Sequence, residues 1–470
     1  MKGISKYILI AALGLSAASC ESVIDFEPTD QIDKTKAFTS VDDLDAAIVG
    51  AYAIMPKTTP ITVNAYTTDN AKMAVGGRNI GVTSYNWNYT PSGSTEPAGW
   101  AGYYRSVNAV NVALDAMQQL TIPVSDSERY DYLKGEAMAV RALAHFNLFQ
   151  AYAASYTDDS KLAVPYMLVS EIAQPARLTV GEFMTKLDQD LEQAYQLMNG
   201  NESVESINTR MSALAVKALE ARVALYREDY DRAVAAATAV LSVVTVTDAA
   251  GFTAMFEQGA DDEIIFKFRM SDPLSKVGNV FQDNGGTLNF VASNDLDLAF
   301  AQNYADDASL DVRYGVTLKM NPADASQQLI GKYMSADATE ILLTDVNVFR
   351  ASDILLIRAE ANAQLGSAAA AQADLNELRA KRIEGFTDQA ETGNILLDAI
   401  AQQRRLELAY EGHRFYDLRR TGKSIVRGDV TFETTPTTLV AGDHRFVFPI
   451  PESEINANEN MTQNDKYDGN

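Results

Sequence analysis

Apolar residues recur at helical spacing through most of the chain, most plainly from 208 to 244. Met211, Leu214, Ala215, Ala218 and Leu225 share one helix face, a polar turn follows at 227–229, and Tyr230, Ala233, Val234, Ala237 and Leu241 line the next face. Two antiparallel helices are predicted. Ala221, Ala233 and Ala237, with Tyr230 after the turn, fall at the close-contact positions of a tetratricopeptide repeat. A second pair is predicted over 348–382, with Leu355, Ile357, Ala359 and Ala363 on one helix, Gly366 as breaker, and Ala373, Leu375 and Leu378 on the other; its register is looser. Further helices are predicted over 107–120, 131–156, 179–198, where Thr179 is a cap, and 395–418. Residues 136–154 are apolar almost all round, which predicts a helix buried between neighbours.

Periodicity fails in two long blocks, 64–101 and 248–292, and in a shorter one at 427–452. Loops of that length within a compact domain usually carry function. The first block holds Arg78, Asn79, Tyr85, Asn86, Trp87, Asn88 and Tyr89 among glycines and threonines, a composition too aromatic for disorder. The second has a strand signal at 264–268 followed by the glycine-rich stretch 278–289. No proline-rich linker or shift in composition divides residues 37–470. They read as one mainly α domain: a tetratricopeptide-like helical-repeat scaffold with a loop-rich insert containing short β segments.

The N-terminus follows another logic. Lys2 and Lys6 precede an apolar run at 7–15 and small residues at 16–19, the layout of an export signal too short to span a bilayer. The only cysteine, Cys20, comes next, and the small residues before it resemble a bacterial lipobox. Residues 1–19 are therefore expected to be a lipoprotein signal peptide, and 20–36 a lipidated N-terminus and tether, polar and containing Pro28. The competing reading is a spare cysteine behind an ordinary signal peptide. No later apolar run reaches about 18 residues, so no other segment is expected to span a membrane.

A formal charge of −24 argues against a nucleic-acid partner, because phosphate binding needs a basic face. One cysteine and three histidines leave no plausible zinc cluster and no intramolecular disulfide. No nucleophile elbow, P-loop, zincin helix or dinucleotide fingerprint is present. His145 and His413 lie beside no candidate nucleophile, so structural roles are expected for both. The doublets Asp158-Asp159, Asp261-Asp262 and Asp306-Asp307 read as solvated loop carboxylates rather than calcium ligands. Arg404, Arg405, Arg414, Arg419 and Arg420, interleaved with Glu407, Glu411 and Asp417, suggest internal ion pairs at helical spacing rather than a phosphate site. No catalytic residue, metal ligand or cofactor is expected. In the first block Trp87 and Tyr89 alternate with Asn86 and Asn88, so an extended backbone would place both rings on one face and both amides on the other. Rings stack on sugar faces, while amides and the Arg78 guanidinium hydrogen-bond hydroxyls. Trp87 serves equally well as an anchor of the loop to the scaffold, and Trp100, beside Tyr103 and Tyr104, reads as core.

The segment 404–420, RRLELAYEGHRFYDLRR, resembles the motif E-R-R-x-E-L-x-x-E-G-H-R-x-x-D-L-R-R of the SusD/RagB family of outer-membrane nutrient-binding lipoproteins. Further likeness lies in Pro449-Ile450-Pro451, Glu454-Ile455, Gln463-Asn464, Arg141-Ala142 with Phe146, Asp190-Leu191-Glu192, Phe38, Leu44, Gly50, Tyr52 and 100–111. Gln403 stands where the family usually has glutamate, and Asn464-Asp465-Lys466-Tyr467 replaces N-P-G-Y. The resemblance implies a helical body on the cell surface, lipid-anchored in the outer membrane, that caps a SusC-like TonB-dependent transporter and binds cargo without chemistry. It implies that the repeats face the transporter and that variable loops, here about 64–101 and 248–292, hold the ligand; Arg78, Asn86, Trp87 and Tyr89 are candidates by position and chemistry. Oligosaccharide is the expected cargo, with oligopeptide as the alternative. A repeat scaffold that binds only proteins and a hydrolase with an unrecognised site are the rivals from other classes.

Overall fold

The computed structural model describes residues 37–93, 98–201, 207–272, 275–337 and 339–467. Cys20, the signal peptide and the tether lie outside them. No helix among the described residues is long and apolar enough to cross a membrane.

The scaffold is a stack of antiparallel helices. Helix Ser127–Tyr152 packs against both Trp100–Met117 and Val180–Met198, and from Gly135 to Tyr152 every residue except Asn147 is buried, as the all-round apolar pattern predicts. Burying a helix on all sides requires its polar groups to be satisfied internally. Arg141 does this with a bidentate pair to Asp190, at 2.8 and 2.6 Å, and with a further hydrogen bond to Asn111 Oδ1 at 2.9 Å, so one guanidinium joins three helices. One turn on, His145 Nδ1–H donates to the Arg141 carbonyl at 2.9 Å, while its Nε2 accepts from the Met167 amide at 3.0 Å. Burial depresses its pKa to about 3 and keeps the ring neutral, in the structural role expected of it.

The two predicted repeat pairs form helices Ala213–Tyr226 and Tyr230–Leu241, then Ala351–Gln364 and Ala368–Arg382, and the second and third of these pack together. Ala221, Ala233 and Ala237 are fully buried at the contacts. Thr179 closes a capping box with Glu182 at the start of Val180–Met198. Three boundaries differ from expectation. Trp100–Met117 begins seven residues early, because Trp100 and Tyr103 bury against the core. Residues 348–350 belong to strand Val346–Arg350, which pairs antiparallel with the expected strand Ile264–Phe268. The predicted helix 395–418 breaks into Gly393–Glu407 and Arg414–Arg420, with Tyr410 and Gly412 at positive φ. A side chain at Gly412 would place its Cβ 2.8 Å from that of Pro60, so this break needs glycine for close approach as well as for φ.

The loop blocks are partly ordered into elements that the periodicity missed: residues 64–67 complete helix Thr59–Thr67, and 249–257 form helix Ala249–Glu257. Strands Ala71–Met73 and Phe290–Ala292 pair antiparallel, Ala71 opposite Ala292 and Met73 opposite Phe290. That ladder fastens the first loop block to the second.

Candidate ligand-binding cleft

The ladder brings the two blocks to one concavity of about 500 Å³. Its walls are the inter-helix turn 55–58 with Lys57, Tyr66 from helix Thr59–Thr67, Arg78 and Ile80 from the first block, and Met270 and Asn279 from the second. Arg78 is held by its backbone, whose N–H donates to the Leu288 carbonyl at 3.1 Å. Asn289 reaches across the ladder, accepting from the Ile80 amide at 2.9 Å and donating to the Ile80 carbonyl at 3.1 Å. Tyr66 stacks on Phe290 with centroids 4.6 Å apart, and burial raises its hydroxyl pKa to about 12. Gly81, at φ +80°, is required here: a Cβ would lie 2.3 Å from the Tyr66 ring. Two buried polar atoms of residues lining the cleft, Arg78 Nη1 and Asn279 Oδ1, have no hydrogen-bond partner among the described residues. One donor and one acceptor therefore await a partner, which is costly in a closed site and useful in an open one.

The aromatic segment corrects the sequence reading. Residues 82–85 form the one-turn helix Val82–Tyr85, Asn86 caps it, and Trp87 has φ +53°, so the stretch is not extended and its side chains do not alternate. Trp87 is 1% exposed; its indole N–H donates to the Thr67 carbonyl at 2.9 Å. Tyr89 is buried against Phe448, and its hydroxyl donates to the Arg445 carbonyl at 2.9 Å. Asn86 is half-buried, with its Oδ1 unpartnered among the described residues. Of the four ligand candidates, only Arg78 lines the cleft, and the Trp87 ring serves as an anchor. The clasp is Arg427, from the third block: its guanidinium lies 3.9 Å from the Tyr85 ring centroid and 4.1 Å from that of Trp87, and donates to the carbonyls of Thr68, Tyr85, Pro436 and Tyr66. Burial lowers its pKa to about 10, which leaves it charged at neutral pH.

The arginine-rich segment forms internal ion pairs as expected, but across long sequence distances. Only Arg420 to Asp417 is a local i, i+3 pair within it. Glu407 receives Arg350 at 2.5 Å, Arg382 at 3.1 Å and Arg313 at 3.4 Å; Glu411 receives Lys332 at 2.6 Å and Arg350 at 2.8 Å. Asp69, at the mouth of the first block, binds Arg414 through both oxygens. Arg404, Arg405, Arg414 and Arg420 are held by carboxylates, so these four form a structural hub rather than a phosphate site, whereas Arg419 donates to the carbonyls of Gln150 and Ala153 and to the Tyr156 hydroxyl. Gln403 accepts from Arg313 Nη2 at 2.8 Å and donates to Asn303 at 2.7 Å, so both ends of the amide standing in for the usual glutamate are engaged. His413 is buried beside Asp353, its pKa lowered to about 4 chiefly by desolvation. Within the acidic doublets, Asp158 accepts locally from Ser160 and Asp307 from Ser309, Asp261 pairs with Lys267, and Asp159 pairs with the distant Arg227.

Sequence reasoning singled out Arg78 and missed Lys57, Tyr66, Asn279 and Arg427. Tyr66 and Asn279 fall inside the loop blocks but carry no spacing signal, Lys57 lies in a turn between helices, and Arg427 acts through a contact more than 330 residues distant in sequence.

Comparison with known proteins agrees with this architecture. A family model described as the SusD family matches residues 302–467, and a second, described as starch-binding associating with outer membrane, matches residues 24–225. A SusD-like protein of Formosa agariphila is 24% identical over 521 residues, spanning 98% of each chain. Among solved structures, a SusD superfamily protein from Bacteroides thetaiotaomicron superposes with a TM-score of 0.80 at 25% identity, over 91% of this chain and 100% of that one. Another, from Bacteroides vulgatus, gives 0.79 at 26% identity, over 92% and 100%. With family models at both ends, a relative along nearly its whole length and the helical-repeat scaffold in common, the chain belongs to the SusD/RagB family.

Proposed function

We propose that this protein captures oligosaccharides in the cleft between its two loop blocks and delivers them to a SusC-like TonB-dependent transporter, while anchored on the outer-membrane surface through lipid on Cys20. It binds its cargo and leaves it chemically unchanged. The observation that carries the reading is the pair of buried, unpartnered polar atoms, Arg78 Nη1 and Asn279 Oδ1, on residues that line one concavity with Tyr66 and Lys57. A saccharide hydroxyl both donates and accepts, so it can satisfy the guanidinium and the amide oxygen together. A cleft of about 500 Å³ is within the range of small-ligand sites. The match to a family model described as starch-binding and associated with the outer membrane supports both the cargo class and the location. The repeat helices supply a rigid frame, on which ligand loops are best carried.

Isothermal titration of the full chain, in neutral detergent, with neutral oligosaccharides tests the reading. Arg78→Ala is expected to cost about 1.5–3 kcal/mol of affinity, the range for a hydrogen bond from a charged group. Unchanged affinity in a folded Arg78→Ala variant, or binding of oligopeptides with no saccharide bound, overturns it.

A further inference from the structure

A second concavity, of about 650 Å³, shares no lining residue with the Arg78 cleft. It is enclosed by the turn 154–162, Arg177, the end of helix Arg414–Arg420, and the segments 442–447 and 463–466. Its charge is reversed relative to the chain as a whole. Where the protein carries 39 basic against 63 acidic residues, this cleft is lined by Lys161, Arg177, Arg419, Arg420, Lys423 and Lys466 against Glu228, Asp443 and Asp465. Arg420 is paired with Glu360 and Asp417, Asp443 with Arg445, and the exposed Lys423 lies 4.0 Å from Asp398, which leaves Lys161, Arg177, Arg419 and Lys466 facing Glu228 and Asp465. Of the other acidic groups nearby, Asp159 is paired with Arg227, while Asp158 accepts from Ser160 and keeps its charge beside Lys161.

The two remaining guanidiniums, Arg177 and Arg419, have no carboxylate bonded to them among the described residues. Arg177 donates to the carbonyls of Ala163, Thr462, Tyr152 and Leu162. Arg419 donates to the carbonyls of Gln150 and Ala153 and to the Tyr156 hydroxyl, which uses three of the five N–H groups of a guanidinium. Carbonyls fix their positions but do not cancel their charge. At the junction with a neighbouring cleft lies Tyr226, 1% exposed, whose hydroxyl has no hydrogen-bond partner among the described residues.

We propose that this cleft is a second binding site that takes an anionic ligand of oligosaccharide size, its charge a carboxylate or a sulfate ester. The oxyanion follows from Arg177, Arg419 and the rim lysines; the saccharide part rests on the function proposed above. A concavity with a buried polar group favours a ligand that enters it over a macromolecular surface that would only cover its rim.

The test titrates the full chain with three oligosaccharides of equal length, one neutral, one of uronic acid and one sulfated. At least one acidic probe is expected to bind at a site that Arg78→Ala leaves intact, and the better of the two identifies the oxyanion. The exposed pair Lys423→Glu/Lys466→Glu is expected to weaken that binding about tenfold or more, since two attractive charges become repulsive. Raising ionic strength from about 0.01 M to about 1 M, which shortens the Debye length from about 30 Å to about 3 Å, is expected to weaken it similarly. Neutral-probe binding in the first cleft is expected to survive the charge reversal. Acidic probes that bind no better than the neutral one, acidic binding indifferent to the reversal, or acidic binding lost with Arg78→Ala each overturn the second site. None of these three results removes the first cleft, whose own test uses the neutral probe.

Discussion

Glu407→Gln removes the charge at the centre of the buried hub while keeping the shape of the side chain. The hub holds Arg313, Lys332, Arg350 and Arg382 against Glu263, Asp311, Glu407 and Glu411, all of them buried, so its formal charge is zero. Glu407 alone receives three of the arginines. The amide leaves one positive charge uncompensated in the interior, and breaking a buried pair in this way costs about 3–5 kcal/mol. Against a total stability of about 5–15 kcal/mol, that is a large share. With about 2 cal/mol/K of unfolding entropy per residue over some 430 residues, the melting temperature is expected to fall by roughly 4 °C. Asp42→Asn is the control: it weakens an exposed pair with Arg129 and is expected to cost less than about 1 kcal/mol. Acid titration adds a second signature. The arginines hold the Glu407 carboxyl well below the usual carboxylate range, so its contribution is complete above pH 4.5 and is lost as pH falls through the folded-state value. The gap between wild type and variant is therefore expected to narrow in strong acid. Urea unfolding monitored by circular dichroism measures both effects, and a loss below about 1 kcal/mol at pH 7 would refute the hub.

His145 and His413 are buried with pKa values lowered to about 3 and about 4, so both are neutral when folded and take up protons near pH 6.5 when unfolded. Stability is then complete above pH 6.5 and is expected to drop by about 2–3 kcal/mol for the pair by pH 5.5, ahead of carboxylate titration, as measured by denaturant midpoints across that range. Arg427→Ala removes the clasp on Tyr85 and Trp87 and leaves buried carbonyls unpaired, for an expected loss of about 3 kcal/mol or more. With only Trp87 and Trp100 in the chain, a red shift in tryptophan emission reports the unseated loop. Gly81→Ala combines an unfavourable φ with a clash against Tyr66, and is expected to cost about 1–3 kcal/mol and weaken neutral-glycan binding, read by calorimetry.

The helical scaffold was legible because each helix buries a face whose spacing is written locally, as in 213–241 and the all-apolar 136–152. Legibility ended where structure depends on distant partners. The strand at 264–268 could be read, but not its partner 346–350. The charges at 404–420 were recognisable as internal pairs, yet their carboxylate and cation partners come from Asp69, Glu360, Asp353, Arg313, Lys332, Arg350 and Arg382, which helical spacing cannot reveal. Within the site, Arg78 was identifiable as a donor in a glycine-rich loop. The orientation of Trp87 was not, because a positive φ in a tryptophan reflects what surrounds it, here Arg427 and Thr67, rather than any local preference.

The central claim is that cargo sits in the concavity where the two loop blocks meet. A crystal structure of the protein with a bound neutral oligosaccharide tests it most directly. Sugar oxygens are expected within hydrogen-bond distance of both Arg78 Nη1 and Asn279 Oδ1. A saccharide held elsewhere on the molecule, with those two atoms still unpartnered, would contradict the account.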